Sequence, residues 1–268
     1  MIIIIIIILK KYRLIKYFGN VGVALGTEVI RGIVLKEMPK GETSKQIIVL
    51  AKGLGKVWIT AKGARKQKSK LLAGTQLFCY CDFQVYESKK YYYVDQIDMI
   101  ESFFDLRLDI DKLSQAFYIV DLVEKTAFMG IEQDNILLLL LKTMQILSKG
   151  KCPPTLVSRI FEMKFLQTAG VMPDLTEKCC ICGKEAKQYF HVAAGGMVCN
   201  EHIAGSRKLS TGAKNAMEFV FSHDIKSAFQ FSVSEEVMKE LYKVLEEYIA
   251  IHINIQLQTR DFNRKIDI

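Results

Sequence analysis

The sequence has no stretch of about 20 apolar residues, the length a membrane-spanning helix needs. The longest apolar run at its start, Ile2 to Leu9, is less than half that length. Nor does it read as a secretory signal, because Lys10, Lys11 and Arg13 follow the run instead of preceding it, and no small-residue cleavage site comes after. Residues 1–24 are therefore expected to be an N-terminal extension outside the fold, with the protein proper beginning near Val23 to Thr27. The competing reading is a membrane-touching anchor, and deleting residues 1–24 separates the two. A disulfide framework is also missing. The 7 cysteines are odd in number and scattered, unlike those of a small secreted domain, which leaves free thiols or metal ligands in a reducing cytoplasm. There is no Walker A loop, no G-x-G-x-x-G after a strand, no H-E-x-x-H and no G-x-S-x-G. The acids do not cluster at metal-binding spacing, and Asp105, Asp109 and Asp111 read as acids of loops and helix starts. Nothing in the sequence argues for catalysis.

What is present is enough for a folded protein of two domains. The 268 residues suit two units of ordinary size. Half of them are apolar and 10% aromatic, too many for a disordered chain. The formal net charge of +8 and a pI near 9.0 call for an anionic partner.

From Glu28 to about Met99 the pattern is β. Val29–Leu35, Gln46–Leu50, Lys56–Ala61, Gln76–Tyr86 and Tyr91–Ile97 are strand-like. They are separated by turn residues at Met38–Ser44, Lys52–Gly55 and Glu87–Lys90. Five strands in about 70 residues match a small barrel or sandwich. A five-stranded sheet closed on itself is the OB-fold plan, and strand count alone does not separate it from an SH3-like barrel. After Ser102 the period becomes helical. Leu113, Phe117, Val120 and Val123 share a face, Ile136–Leu141 is apolar on every side, and Thr155–Thr168 stops at Gly170 and Pro173. Ser210 can cap a helix running to Ser222. Ser232 and Glu235 have capping-box spacing ahead of a stripe of Val237, Leu241, Val244, Tyr248 and Ile251. These stripes are expected to be core. The fold class is α+β: a five-stranded OB-fold β-barrel over 25–102, then an all-helical domain over 103–268 that carries a metal module at about 176–205.

Two constellations carry chemistry. Between Ala51 and Lys70 stand Lys52, Lys56, Lys62, Arg65, Lys66, Lys68 and Lys70 without a single acid. Cations grouped in a glycine-containing loop between strands can track a phosphate backbone, and OB-fold loops are a usual place for that contact. Trp58, Tyr80, Phe83, Tyr86 and Tyr91–Tyr93 lie nearby and offer stacking faces. Alternate strand residues face the core, however, so at least half of these rings are expected to be packing. The second constellation is Cys179-x2-Cys182 followed by Cys199-x2-His202, with sixteen residues between. Three thiolates and one imidazole at this spacing can close a tetrahedron around Zn²⁺, and four protein ligands leave no open position for chemistry. A redox C-x-x-C is the rival for the first pair, but it leaves Cys199 and His202 unexplained. Cys180 is an extra thiol, and His191 a spare imidazole without a paired spacing.

The order and content of these parts resemble a known family. Gly32-Ile33-Val34-Leu35, Gly41-Glu42-Thr43-Ser44, Gly55-Lys56 and Lys62–Leu71 are similar to the N-terminal barrel of the RecO family. Phe161–Leu166, Gly170, Pro173, Cys179-x2-Cys182-Gly183, Gly195-Gly196 and Cys199 are similar to its later part. The resemblance runs from residue 28 to about 205 and continues more weakly to the end. It implies a non-catalytic recombination mediator that binds single- and double-stranded DNA and anneals complementary strands. It also implies help in loading RecA onto DNA coated by single-strand-binding protein, with RecR, RecF and that binding protein as partners. By this match the DNA-binding candidates are Lys56, Lys62, Arg65, Lys66, Lys68 and Lys70. The zinc would be structural, and the setting cytoplasmic, at the nucleoid and away from membranes. This chain has His202 where the family often has a fourth cysteine, and the isoleucine extension is not a family feature. The alternative is a zinc-containing enzyme that processes nucleic acid, which would need an open zinc position or a second metal.

Overall fold

The computed structural model describes residues 27–88 and 91–255. The isoleucine run, Lys89-Lys90 of the polar turn expected at Glu87–Lys90, and the stretch after 255 lie outside them. Five strands, β1 (Thr27–Lys40), β2 (Ser44–Ala51), β3 (Gly55–Ala61), β4 (Tyr80–Ser88) and β5 (Tyr91–Glu101), close into a barrel in the order β1-β2-β3-β5-β4. Every neighbouring pair is antiparallel except β3 and β5, which run parallel through Ile59↔Tyr92 and Thr60↔Tyr93. This is the OB-type plan expected from the strand pattern.

Strand boundaries differ from expectation: β4 runs on to Ser88 and β5 to Glu101, and two further differences matter more. Met38, Pro39 and Lys40 belong to β1, paired with Gln46, Lys45 and Ser44. The reversal is confined to the three residues after Lys40, where Gly41 takes φ +64°, a conformation glycine adopts without steric cost. Gln76–Cys79 are not the start of β4. They end a turn-rich connection in which Phe78 takes φ +72° and buries its ring edge-on against Phe117, centroids 5.4 Å apart.

The barrel is filled by Val34, Ile47, Val49, Ile59, Cys81, Phe83 and Val85. β2 is buried on both faces. Ile47 and Val49 point inward, while Ile48 and Leu50, with Ile33 and Leu35 of β1, belong to the core shared with the helices. The unbroken apolar run of β2 thus reports two-sided burial.

The helices are α1 (Ile110–Thr126), α2 (Asp134–Lys149), α3 (Pro154–Thr168), α4 (Thr211–Ser222) and α5 (Glu235–His252). Their starts are written in the sequence. The Asp109 carboxylate accepts from the N–H groups of Asp111 and Lys112, and Ser210 accepts from that of Ala213. The cap of α5 is Ser234, which accepts from Val237 N–H, and not Ser232 as the capping-box spacing suggested. The buried stripe of α5 is Leu241, Val244, Leu245, Tyr248 and Ile249, whereas Ile251 is 46% exposed. The burial of Leu245 and Ile249 turns the core-facing side away from Ile251.

α3 is the central helix, buried from Leu156 to Leu166. Its charged groups find partners inside, although Arg159 Nη1 makes no hydrogen bond. Arg159 Nη2 lies 3.1 Å from Glu162 Oε1, the Tyr118 hydroxyl donates to Glu162, and the Arg159 guanidinium packs over the rings of Tyr118 and Tyr242. Lys164 Nζ donates to the His223 carbonyl just past α4, a favourable place for a cation. Between α3 and α4 the embedded module has no α-helix, only a 3-10 turn at Asn200–His202. It is built on a small sheet of β6 (Tyr189–His191), β7 (Gly196–Val198) and β8 (Arg207–Lys208), in the order β7-β6-β8. Among the described residues no helix is long and apolar enough to cross a membrane.

Candidate nucleic-acid interface and metal centre

The basic segment leaves β3 at Ala61 and is shaped by short-range bonds. Ala64 is fully buried and anchors it. Arg65 N–H donates to Thr43 O at 2.8 Å, the Arg65 guanidinium donates to Gly41 O at 3.0 Å, and Gly63 N–H donates to Ser44 Oγ at 3.3 Å. The segment therefore lies against the β1–β2 turn. Further on, Thr75 Oγ1 donates to Leu71 O, and Gly74 sits so close to Ile97 that a Cβ there would come within 2.4 Å of its side chain. Lys62, Arg65, Lys66, Lys68 and Lys70 are all exposed. Among the described residues no ion pair includes any of them. Five unneutralised cations on one ordered connection make a positive surface able to contact several phosphates.

Lys56 is placed elsewhere. Its ammonium donates to Glu124 O at 2.7 Å and lies 3.4 Å from Glu124 Oε1, in the seam between the barrel and α1. There Gly55 approaches the α1–α2 connection so closely that a Cβ would meet Ile131 O at 2.1 Å, and Gly53 N–H donates to Asp134 Oδ1. Lys56 holds this seam and is not part of the free cationic surface. Lys40, by contrast, was not singled out from the sequence. Its ammonium donates to Thr60 Oγ1 at 3.0 Å, close to where β3 runs into the basic segment. The signal was present only as a cation at the far end of a hairpin, 20 residues from Thr60.

The aromatics divide as the strand period requires. Phe83 is fully buried in the barrel, and Trp58 packs against the core shared with the helices. Tyr86 and Tyr93, directly opposite each other on β4 and β5, stack with centroids 5.4 Å apart and planes 17° from parallel. Lys62 Nζ lies 4.4 Å from the centre of the Tyr93 ring.

The four expected metal ligands come together. The donor atoms of Cys179, Cys182, Cys199 and His202 all lie within 4.8 Å of one another. Cys182 and Cys199 Sγ are 3.6 Å apart, and His202 Nδ1 is 3.7 Å from Cys179 Sγ and 3.3 Å from Cys199 Sγ. A tetrahedral zinc with thiolate and imidazole ligands has edges of about 3.5 to 3.8 Å, so this cluster has the size and the donor chemistry to hold a metal ion. Burial pushes the Cys179 thiol up, but the amides of Cys199, Cys182 and Ile181 outweigh this and bring it down to about 6, which favours the thiolate a metal needs. Two turns shape the first knuckle: Gly183 at φ +76° donates its N–H to Cys179 O, and Cys179 N–H donates to Lys184 O. Cys180 and His191 do not join the four-residue group. Cys180 is exposed, and His191 Nδ1 accepts from Ala194 N–H. The module is clamped to α5, where His252 Nε2 bonds Val192 O and the Tyr248 ring stacks on Phe190, while Tyr248 OH donates to Val171 O just after α3.

Comparison with known proteins decides what this assembly is. Residues 27–103 match the family described as Recombination protein O N terminal, and residues 107–261 match Recombination protein O C terminal. The chain belongs to the RecO family. The two matches meet at the short 3-10 turn Phe104–Leu108, where the last barrel strand gives way to α1. Among its relatives is the DNA repair protein RecO of Acetivibrio thermocellus, 35% identical over 241 residues that span 88% of this chain and 96% of that one. The DNA repair protein RecO of Alkaliphilus metalliredigens is 30% identical over 88% of this chain and 98% of that one. That of Clostridium novyi is 32% identical over 82% and 87%. Both the basic segment and the Cys/His cluster fall inside the RecO matches.

Proposed function

We propose that this protein is a recombination mediator of DNA repair that binds single- and double-stranded DNA through the basic end of its barrel. The observation that carries this reading is the row of Lys62, Arg65, Lys66, Lys68 and Lys70, exposed and without acid partners among the described residues. Such a surface neutralises phosphates on two strands at once and lowers the repulsion that opposes their pairing. The protein acts by binding and annealing, without covalent chemistry, and helps load RecA onto DNA coated by single-strand-binding protein. RecR, RecF and the single-strand-binding protein are its partners in the cytoplasm, at the nucleoid. The work divides between a DNA-binding barrel over 25–102 and a helical domain over 103–268.

In this reading Cys179, Cys182, Cys199 and His202 hold a zinc ion. Its role when bound is structural, because four protein donors leave no site for water or substrate. The residues of this chain keep the donors in place: the turn at Gly183 shapes the first knuckle, and the Tyr248 ring on Phe190 and the His252 bond to Val192 O tie the module at 176–205 to α5.

The test is annealing of complementary oligonucleotides by the full chain and by the chain lacking residues 1–24, with and without single-strand-binding protein. A variant with Arg65, Lys66, Lys68 and Lys70 changed to Ala runs beside them. Annealing by the first two and its loss in the third supports the reading. Absence of DNA binding by all three at low salt refutes it.

A further inference from the structure

The outward face of the barrel along β3, β5 and β4 is only half covered. At one end Lys56 is tied to Glu124 and Trp58 packs into the core shared with the helices. At the other end, away from that seam, Thr60 is buried under Lys40, and beside it Lys62, Tyr93 and Tyr86 keep exposed surface. Thr60 is paired with Tyr93, and Tyr93 with Tyr86, so the residues follow one another across three strands. The two rings are stacked and partly exposed. Lys62 sits over the Tyr93 ring, 5.9 Å from the centre of Tyr86 and 3.4 Å from its hydroxyl. A hydroxyl and two ring systems do not neutralise its charge, and no acid pairs with it among the described residues. Strands leading into the loops of an OB-type barrel are where single strands are bound, and aromatic rings there stack bases of any sequence.

Resting on the reading proposed above, we infer that the Tyr86–Tyr93 pair with Lys62 is a stacking platform for unpaired bases. Tyr93 and Tyr86 offer ring surface to a nucleobase, and Lys62 holds the phosphate beside it. The basic segment alone reads only charge and treats single and double strands alike. The rings add a contact that only an unpaired base can make, because a base in a duplex is already stacked on its neighbours. The platform is thus the element that prefers single strands over duplex.

The experiment compares binding of the full chain to a thymidine oligonucleotide and to an abasic strand of equal length and charge. It uses the parent, Tyr93→Phe and Tyr93→Val, since a branched side chain keeps the strand. Stacking of one base raises affinity roughly 5- to 150-fold. The parent and Tyr93→Phe are expected to favour the thymidine strand by that factor. Tyr93→Val should bind both strands alike, at the affinity the parent has for the abasic strand. Retained abasic binding shows that this variant is folded. Equal binding of both strands by the parent overturns the inference, as does an undiminished preference in Tyr93→Val. A parent that binds neither strand at low salt fails the functional reading itself, a different and separately visible result.

Discussion

Removing four cations from the basic segment should change the salt dependence of DNA binding by a calculable amount. Lys62, Arg65, Lys66, Lys68 and Lys70 are exposed and have no ion-pair partner among the described residues, so each can release a counterion from a phosphate. If all five engage a single strand, log affinity falls with log salt at a slope of about −3.5, from roughly −0.7 per contact. Going from about 50 to about 200 mM salt then weakens binding by about 130-fold. Changing Arg65, Lys66, Lys68 and Lys70 to Ala leaves one contact, a slope near −0.7 and a loss of about 2.6-fold over the same range. Fluorescence anisotropy with a labelled oligonucleotide at four or five salt concentrations measures both slopes. The Arg65 backbone bond to Thr43 O survives the substitution, so the loop keeps its path. An unchanged slope in the quadruple variant, with binding retained, would refute the assignment of these side chains to the DNA contact.

Lys56→Met should leave that slope unchanged while lowering stability by about 1–3 kcal/mol in urea denaturation, because it removes a charged hydrogen bond to Glu124 in the seam. Gly55→Ala is expected to cost more than about 1 kcal/mol, since it sits at φ +67° and its Cβ would meet Ile131 O at 2.1 Å; a wild-type midpoint would contradict the close approach. Cys182→Ser should lower metal content, measured by plasma emission, and reduce the melting temperature; full occupancy in the purified variant would count against the ligand set. Asp82 is held below the usual carboxylate range first by its hydrogen bonds from Arg31. Its contribution is therefore present above the unfolded carboxyl pKa and lost as pH falls through the folded value. Asp82→Asn should cost at most about 1 kcal/mol at pH 7, since Arg31 is half exposed, and the gap to wild type should close on acidification; a gap that widens toward acid would reverse the sign.

Much of this protein was legible before its structure. The five barrel strands follow from alternation or short branched apolar runs between turn residues, and the helices from 3.6-residue stripes with Asp109 and Ser210 at their starts, because backbone geometry responds to the nearest few residues. The Cys/His cluster was legible for a related reason. Two knuckles bring their own pairs of donors together within three residues, so the structure had only to join Cys179 and Cys182 to Cys199 and His202. The cap of α5 was misplaced by two residues, because two serines offer the same chemistry and the rotation of the buried stripe chooses between them.

What the sequence determined by itself was the kind of each group and its local conformation: strands, helices, a cationic connection and a thiol-rich pair of turns. Only the tertiary structure decided which of those groups are free to act. Lys56 and Lys62 are six residues apart in one acid-free stretch, yet Lys56 is neutralised by Glu124, 68 residues away, and Lys62 has no acid partner among the described residues. Lys40, 20 residues from Thr60, reaches the end of β3 through the β1–β2 hairpin. The tyrosines are sorted the same way, since Tyr86 meets Tyr93 only through the register of β4 on β5. Charge and ring are local properties, but exposure and pairing depend on which distant segment packs alongside, and that is settled by the closing of the barrel and its docking on the helices.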